Sequence, residues 1–157
     1  MRKRIISQAQ QAASPTDQLW LNLGEIAEVE ISSEDDTHPI ESALLPGETS
    51  GWRAAQSGKQ IIRLLFSHPQ SLQRIWIKFE ESRIERTQEY LLRYSSDGGQ
   101  SFQEIVRQQW NFHPQGSISE TEDHQVELQG VTLLELAITP DISGGDAYAS
   151  LSQFKLA

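Results

Sequence analysis

The chain has 157 residues and a formal net charge of −9, with 13 basic against 22 acidic side chains and no cysteine. The length suits one domain, and no stretch approaches the ~20 apolar residues of a membrane helix, which predicts a soluble protein. Without thiols there can be no disulfide, no thiolate nucleophile and no zinc–sulfur site.

The charges are segregated. Residues 1–16 hold Arg2, Lys3 and Arg4 and no acid, whereas residues 17–50 hold nine acids and no Lys or Arg. An acidic body repels phosphate backbones, so nucleic acid is disfavoured as a partner. Acidic loops disfavour a membrane surface in the same way. No apolar stretch of ~7–15 residues follows the basic triplet, which predicts no secretory signal and a cytoplasmic setting.

Residues 1–18 are rich in Gln, Ala and Ser and read as an arm, frayed or helical over 8–13, that ends at Ser14-Pro15. The domain is expected over residues 19–157. From there the hydrophobic period is mostly two. Val29 and Ile31 mark a strand that enters a turn-rich stretch over 32–39. Ile62, Leu64 and Phe66 share one face of a second strand. After a turn at His68-Pro69, Ile75, Ile77 and Phe79 share a face of a third. The stretch 80–94 is rich in helix formers, but it lacks an i, i+3, i+4 stripe and is predicted as loop followed by strand. Tyr90, Leu92 and Tyr94 alternate up to Asp97-Gly98-Gly99, whose tolerance of positive φ marks a hairpin. A return strand follows from about 101. Val126 and Leu128, then Leu134, Leu136 and Ile138, then Phe154 and Leu156 mark the closing strands. Short strands between turn clusters predict an all-β antiparallel sandwich or barrel.

Val29-Glu30-Ile31-Ser32-Ser33-Glu34, Pro39-Ile40-Glu41-Ser42-Ala43-Leu44, Gly51-Trp52-Arg53 and Gln60-Ile61-Ile62-Arg63-Leu64 together resemble the opening of discoidin-like domains. These are also called coagulation-factor type C or galactose-binding-like domains. Ser95-Ser96-Asp97-Gly98-Gly99-Gln100-Ser101-Phe102 resembles the family's hairpin, and 133–138 with 149–156 its last strand pair. The resemblance spans residues 19–157. It implies a jelly-roll β-sandwich of about eight strands that binds ligands through loops at one end. Relatives bind sugars, lipid headgroups or proteins, and most are not enzymes. Many sugar-binding relatives hold a calcium ion through two acidic side chains. The corresponding stretches here, 44–48 and 150–154, offer only Glu48, with Asp146 nearby, so the resemblance implies a domain that works without calcium or another cofactor. Leu44, Leu45 and Trp52, with hydrogen bonds from Thr49 or Ser50, are expected to hold the loop instead.

His38, His68, His113 and His124 show no metal-chelating spacing. Asp35-Asp36 and Glu80-Glu81 are carboxylate pairs, but adjacent acids on loops do not flank a substrate as glycoside hydrolysis requires. They read as solvated. Residues 107–114 gather Arg107, three amides, Trp110, Phe112 and His113, a combination that stacks on and hydrogen-bonds to sugars. Equally, Trp110 and Phe112 stand at strand spacing and fit a core. Residues 81–88 form a second polar cluster, whose arginines could pair with neighbouring Glu. The expected function is a non-catalytic, carbohydrate-binding module, with His38, Arg83, Arg86, Trp110 and His113 as ligand contacts and no metal. The alternative is a protein–protein interaction or assembly module, including a homo-oligomer, that uses the arm and an exposed Trp76. No nucleophile–base pair supports an enzyme.

Overall fold

The computed structural model describes residues 19–47 and 50–157. The expected arm over 1–18, and Glu48 and Thr49, lie outside the described residues. A short helix α1 (Leu23–Ile26) leads into β1 (Ala27–Ile31), and a second short helix, α2 (Glu41–Leu44), precedes β2 (Trp52–Ser57). Then come β3 (Gln60–Glu80), β4 (Arg86–Ser95), β5 (Gln103–Phe112), β6 (Ser119–Thr139), β7 (Tyr148–Leu151) and β8 (Gln153–Leu156). The all-β antiparallel sandwich with eight strands is as the sequence predicts.

Two strands of 21 residues, β3 and β6, organise everything else. The sheet order is β1-β3-β6-β4-β5, with β8 also on β3, and β2 pairs β7 as a separate ribbon. The first half of β3 pairs β1 and the second half of β6, and that half of β6 also carries β4. The second half of β3 pairs the first half of β6 and, on its other edge, β8. The ladder loses regular register between Leu65 and Arg74, where both strands bend and pass from one layer to the other. Pro69, which has no N–H to give a ladder, and Gly130, at φ 64°, stand at that bend. The predicted turn at His68-Pro69 is therefore a bend within one strand, and the two short strands expected around Val126 and Leu134 are one.

Even-numbered residues of β4 meet the opposite layer. Tyr90 and Phe79 rings lie 5.2 Å apart, and Leu72, Ile75, Ile77, Leu92, Leu134, Ile138 and Leu156 are fully buried around them. Each such side chain contributes about 1.5–3 kcal/mol relative to exposure. Trp52 closes the core under the 32–40 segment, with its indole N–H donated to the Ser33 carbonyl at 3.1 Å. Ser32 and Ser33 hydroxyls both donate to Gln60 Oε1, each at 2.7 Å, and so tie the end of β1 to the start of β3.

A charged ladder crosses the outer face of the larger layer. Glu135 on β6 stands between Arg63 on β3 and Arg93 on β4 in register. It accepts from Arg63 Nε at 2.8 Å and from Arg93 Nε at 2.7 Å, and Arg93 in turn covers the Phe102 ring at 3.9 Å.

Two expectations need correction. Residues 149–156 do not pair with 133–138, because Ser152 donates its N–H to Lys78 and splits the segment into β7 on β2 and β8 on β3. Trp76 is not exposed: Lys155, its cross-strand neighbour, lies over both the Trp76 and Trp20 rings, and the residue is 8% exposed.

Candidate functional site

Loops at one end of the sandwich build a cleft of about 750 Å³. One wall is made where the 35–38 turn is stitched to β2. Asp35 N–H donates to the Arg53 carbonyl at 2.8 Å, Arg53 N–H to the His38 carbonyl at 3.2 Å, and His38 N–H to the Asp35 carbonyl at 2.9 Å. These bonds set the Asp35, His38 and Arg53 side chains beside one another. The facing wall is the turn after β3, where Glu81 N–H donates to the Ile118 carbonyl at 2.8 Å, and Glu80 opposes Ser119 in the ladder. Glu80, Glu81, Ser82, Arg83, Ile118 and Ser119 line this side.

The wall carboxylates are engaged from within. Asp35 Oδ1 accepts from the N–H and hydroxyl of Thr37, both at 2.8 Å, and these bonds hold its pKa below the ordinary range. Glu80 pairs with Lys78 at 3.2 Å. Burial pushes the Glu81 carboxyl up, but hydrogen bonds from Arg86 and the Arg83 N–H outweigh it, leaving the pKa below its usual value. Arg53 and Arg83 make no ion pair within 4 Å among the described residues. Arg53 rests over the Tyr148 ring at 5.4 Å.

Behind the cleft a polar chain runs into the interior. Arg86 Nε donates to Glu81 Oε1 at 2.8 Å, while its Nη1 donates to Gln88 Oε1 at 3.2 Å and to the Pro140 carbonyl at 2.7 Å. Gln88 Nε2 reaches Glu120 Oε1 at 3.5 Å. Glu120 is 1% exposed. Burial, then the neighbouring Glu122, pushes its carboxyl up to about 7. Its second oxygen has no hydrogen-bond partner among the described residues, and nor does the buried indole N–H of Trp110. One step along, the Tyr90 hydroxyl and His124 Nε2 meet at 2.7 Å, and burial lowers the pKa of His124.

The structure brings His38 and Arg83, two of the expected contacts, into one cleft. It places Arg86 elsewhere: the side chain is 1% exposed, its guanidinium lies over the Phe112 ring at 4.8 Å, and its Nε and Nη1 are committed to Glu81, Gln88 and Pro140. The 81–86 pair is therefore an interior bond, not the surface pair that loop spacing suggested. Trp110 and Phe112 oppose Gln88 and Arg86 across the ladder and so share their inward face. Trp110 is half-buried against the core, and Phe112 is fully buried. His113 is exposed at the tip of the 113–118 turn, where its N–H donates to the Ser117 carbonyl, and it lies outside the cleft lining. Sequence reasoning missed Arg53, although its exposure between buried Trp52 and Ala54 follows from strand alternation. It also missed Ile118 and Ser119, which only the loop stitching brings to Ser82 of the 81–88 cluster. Among the described residues no group of three or more His, Asp or Glu side chains could hold a metal ion.

The model of the XRCC1 N-terminal domain matches residues 21–137. The chain belongs to this family. A comparison with curated protein sequences returns no match. Among solved structures, the chain is similar to CBM32-3, a family 32 carbohydrate-binding module from a family 31 glycoside hydrolase of Clostridium perfringens. That likeness has a TM-score of 0.65 at 16% identity and covers 96% of this chain and 98% of that one. The family 32 module of C. perfringens NanJ, solved with galactose, is similar at TM-score 0.63 and 12% identity, covering 87% and 96%. Reduced XRCC1 bound to the DNA polymerase β catalytic domain is similar at 0.55 and 16%, covering 84% and 95%. These likenesses show a galactose-binding-like fold, the one the discoidin resemblance implied.

Proposed function

We propose that the chain is a non-catalytic binding module that takes a carbohydrate in the cleft between the 35–38 turn and the 80–83 turn. The observation that carries this reading is the cleft itself. It sits at the loop end of the fold shared with the family 32 modules, and Arg53, Arg83, His38, Ser82 and Ser119 line it. Such side chains hydrogen-bond to sugar hydroxyls. Binding is favoured over hydrolysis because Asp35 and Glu81 are both held below their ordinary pKa. Neither keeps the proton that a glycosidase acid must donate. The net charge of −9 argues against a nucleic-acid backbone as ligand. A cytoplasmic setting belongs to the same proposal. The test is a glycan array followed by calorimetry. Millimolar or tighter binding that Arg53→Ala weakens supports the reading, and a folded protein that binds no sugar at millimolar concentration overturns it.

A second reading, a protein-interaction module, is favoured by the family assignment and by the XRCC1 structure with its polymerase partner. Light scattering separates the two: a stable oligomer lost on deleting residues 1–18 favours assembly.

A further inference from the structure

We infer that the free edge of β1 takes an added strand from a partner protein, an extended segment in which Lys or Arg alternates with aliphatic residues. β1 ends the larger sheet: it pairs β3 on one side and, among the described residues, no strand on the other. Its even-numbered residues turn their backbone toward β3, since the Ile26 carbonyl accepts from the Ser67 hydroxyl and the Ser32 N–H donates to the Ile61 carbonyl. Alternation turns the N–H and carbonyl groups of Val29 and Ile31 to the open edge, where no backbone partner meets them among the described residues. The side chains of Ala27, Val29 and Ile31 are half-buried, and they line a groove of about 460 Å³ together with Leu44 and Leu45. Unmet backbone groups beside an apolar groove are what a peptide uses when it extends a sheet. The groove shares no lining residue with the cleft, so this inference goes beyond the carbohydrate reading and gives the protein-interaction reading a surface.

The charge of the occupant follows from the outer face. A row of alternating sign crosses the sheet in register: Glu30 on β1, Arg63 on β3, Glu135 on β6, Arg93 on β4 and Glu104 on β5. At the β5 end Glu104 is met by Arg107 at 3.3 Å. At the β1 end Glu30 has only Arg63, at 3.9 Å, and Arg63 is bonded to Glu135 at 2.8 Å. The next position in the row is a cation that the sheet does not supply. Counting the whole edge gives the same sign. Residues 23–45 hold Glu25, Glu28, Glu30, Glu34, Asp35, Asp36 and Glu41 and no Lys or Arg. Of the cations on the adjoining strands, Arg53 acts on Asp35 in the cleft and Lys59 on Glu89. Glu25, Glu28, Glu34 and Glu41 make no ion pair among the described residues. An added strand therefore meets Glu28 and Glu30 on one face and the apolar groove on the other, which matches a basic–aliphatic alternation. Pairing β1 with β1 of a second copy would set like charges opposite one another, which is unfavourable.

The experiment titrates the full chain into a short labelled peptide of alternating lysine and valine, its isomer with the same residues in blocks, and its fully N-methylated form. Fluorescence anisotropy reads binding. The alternating peptide is expected to bind about tenfold or more tightly than either control, to weaken at high salt, and to slow amide exchange at Val29 and Ile31. The double variant Glu28→Gln, Glu30→Gln is expected to lose about tenfold in affinity while its thermal melt matches the parent. Val29→Pro, which removes an N–H that β3 does not use, is expected to block binding. Glu104→Gln, at the opposite edge, is expected to bind like the parent. Equal binding of the three peptides, or binding of none, overturns the inference, as does protection of β5 amides in place of Val29 and Ile31. Binding seen only after deletion of residues 1–18 assigns the edge to the chain's own basic segment. Protection of Val29 and Ile31 in a dimer without peptide assigns it to a second copy. Either result overturns a separate partner. Sugar binding in the cleft is read by its own titration and stands or falls apart from these outcomes.

Discussion

Arg86 and Glu81 form a bond that joins the interior of the sandwich to the wall of its cleft. The guanidinium is buried and donates to Glu81 Oε1 at 2.8 Å, while Glu81 Oε2 accepts the Arg83 N–H at 3.0 Å. The turn that displays Arg83 is thus fastened from beneath.

Replacing Arg86 leaves Glu81 and Gln88 with unmet hydrogen-bonding groups, and breaking a buried pair from one side costs about 3–5 kcal/mol. Arg86→Ala is expected to lower the unfolding midpoint by roughly ten degrees. Arg83→Ala, exposed on the same turn, is expected to leave it nearly unchanged. Equal midpoints for the two variants would show that the bond contributes nothing.

Glu120 gives stability a pH dependence of definite sign. The folded carboxyl keeps its proton to about pH 7, against an ordinary value of 4.5. Between those values the folded chain binds the extra proton, so this contribution is present below 4.5, declines as pH rises to 7 and is gone above it. His124, with its pKa lowered by burial, acts oppositely, losing its contribution as pH falls below the ordinary histidine value of 6.5. Arg86 and Tyr90 from β4 and Glu122 and Asp123 from β6 are further charged or titratable groups acting on this pocket. Glu120→Gln is expected to gain on the order of 3 kcal/mol over the parent at pH 8 and to match it near pH 4.5. Denaturant titration at the two pH values reads the difference, and an equal gap at both would contradict the assignment.

The outer ladder behaves in the opposite sense. Burial pushes Glu135 up, but Arg93 and Arg63 outweigh it and hold its pKa below 4.5. Its contribution is present above 4.5 and lost as pH falls through the depressed value. Glu135→Gln leaves two arginines facing an uncharged amide. The expected loss is about 1–3 kcal/mol at pH 7, discounted from the buried-pair range because both arginines are more than a third exposed. The gap to the parent should close in acid.

Gly51 is held at φ 72°, and a Cβ there would lie 2.8 Å from the Leu151 carbonyl oxygen. Gly51→Ala is therefore expected to destabilise by about 1–3 kcal/mol. The strain falls beside the Trp52–Leu151 pair of the β2–β7 ribbon. Loss of amide exchange protection should begin in that ribbon, whereas Gly47→Ala, with open space around its Cβ, should leave the ribbon as it is.

The sequence made some of this visible and hid the rest for physical reasons. Alternation in Tyr90, Leu92, Leu134 and Leu136 reports residues with one face in the core, and the 95–101 hairpin announces itself through Asp97 and Gly98. The continuity of β3 and β6 was hidden because period two breaks where a strand changes layers, and Pro69 and Gly130 look like breakers there. His38 and Arg83 were readable as polar loop residues. Arg53 was not, since its place beside His38 depends on backbone bonds between segments 15 residues apart. Arg86 misled because a loop-edge arginine five residues from a glutamate resembles a surface pair until the Pro140 carbonyl and Phe112 close over it.

The two bent strands also govern how the molecule can come apart. Each supplies half of both layers, so no cut through the chain separates one layer from the other with its strands intact. Peeling β8 or β5 frays an edge, but releasing β3 from β6 dissolves both layers in one event. Amides of 62–65 and 75–79 should therefore exchange with solvent at one common rate under conditions where the edges have already opened. Closing this ladder joins residues as far apart as Gln60 and Ile138, which places the domain among slow, long-range folders.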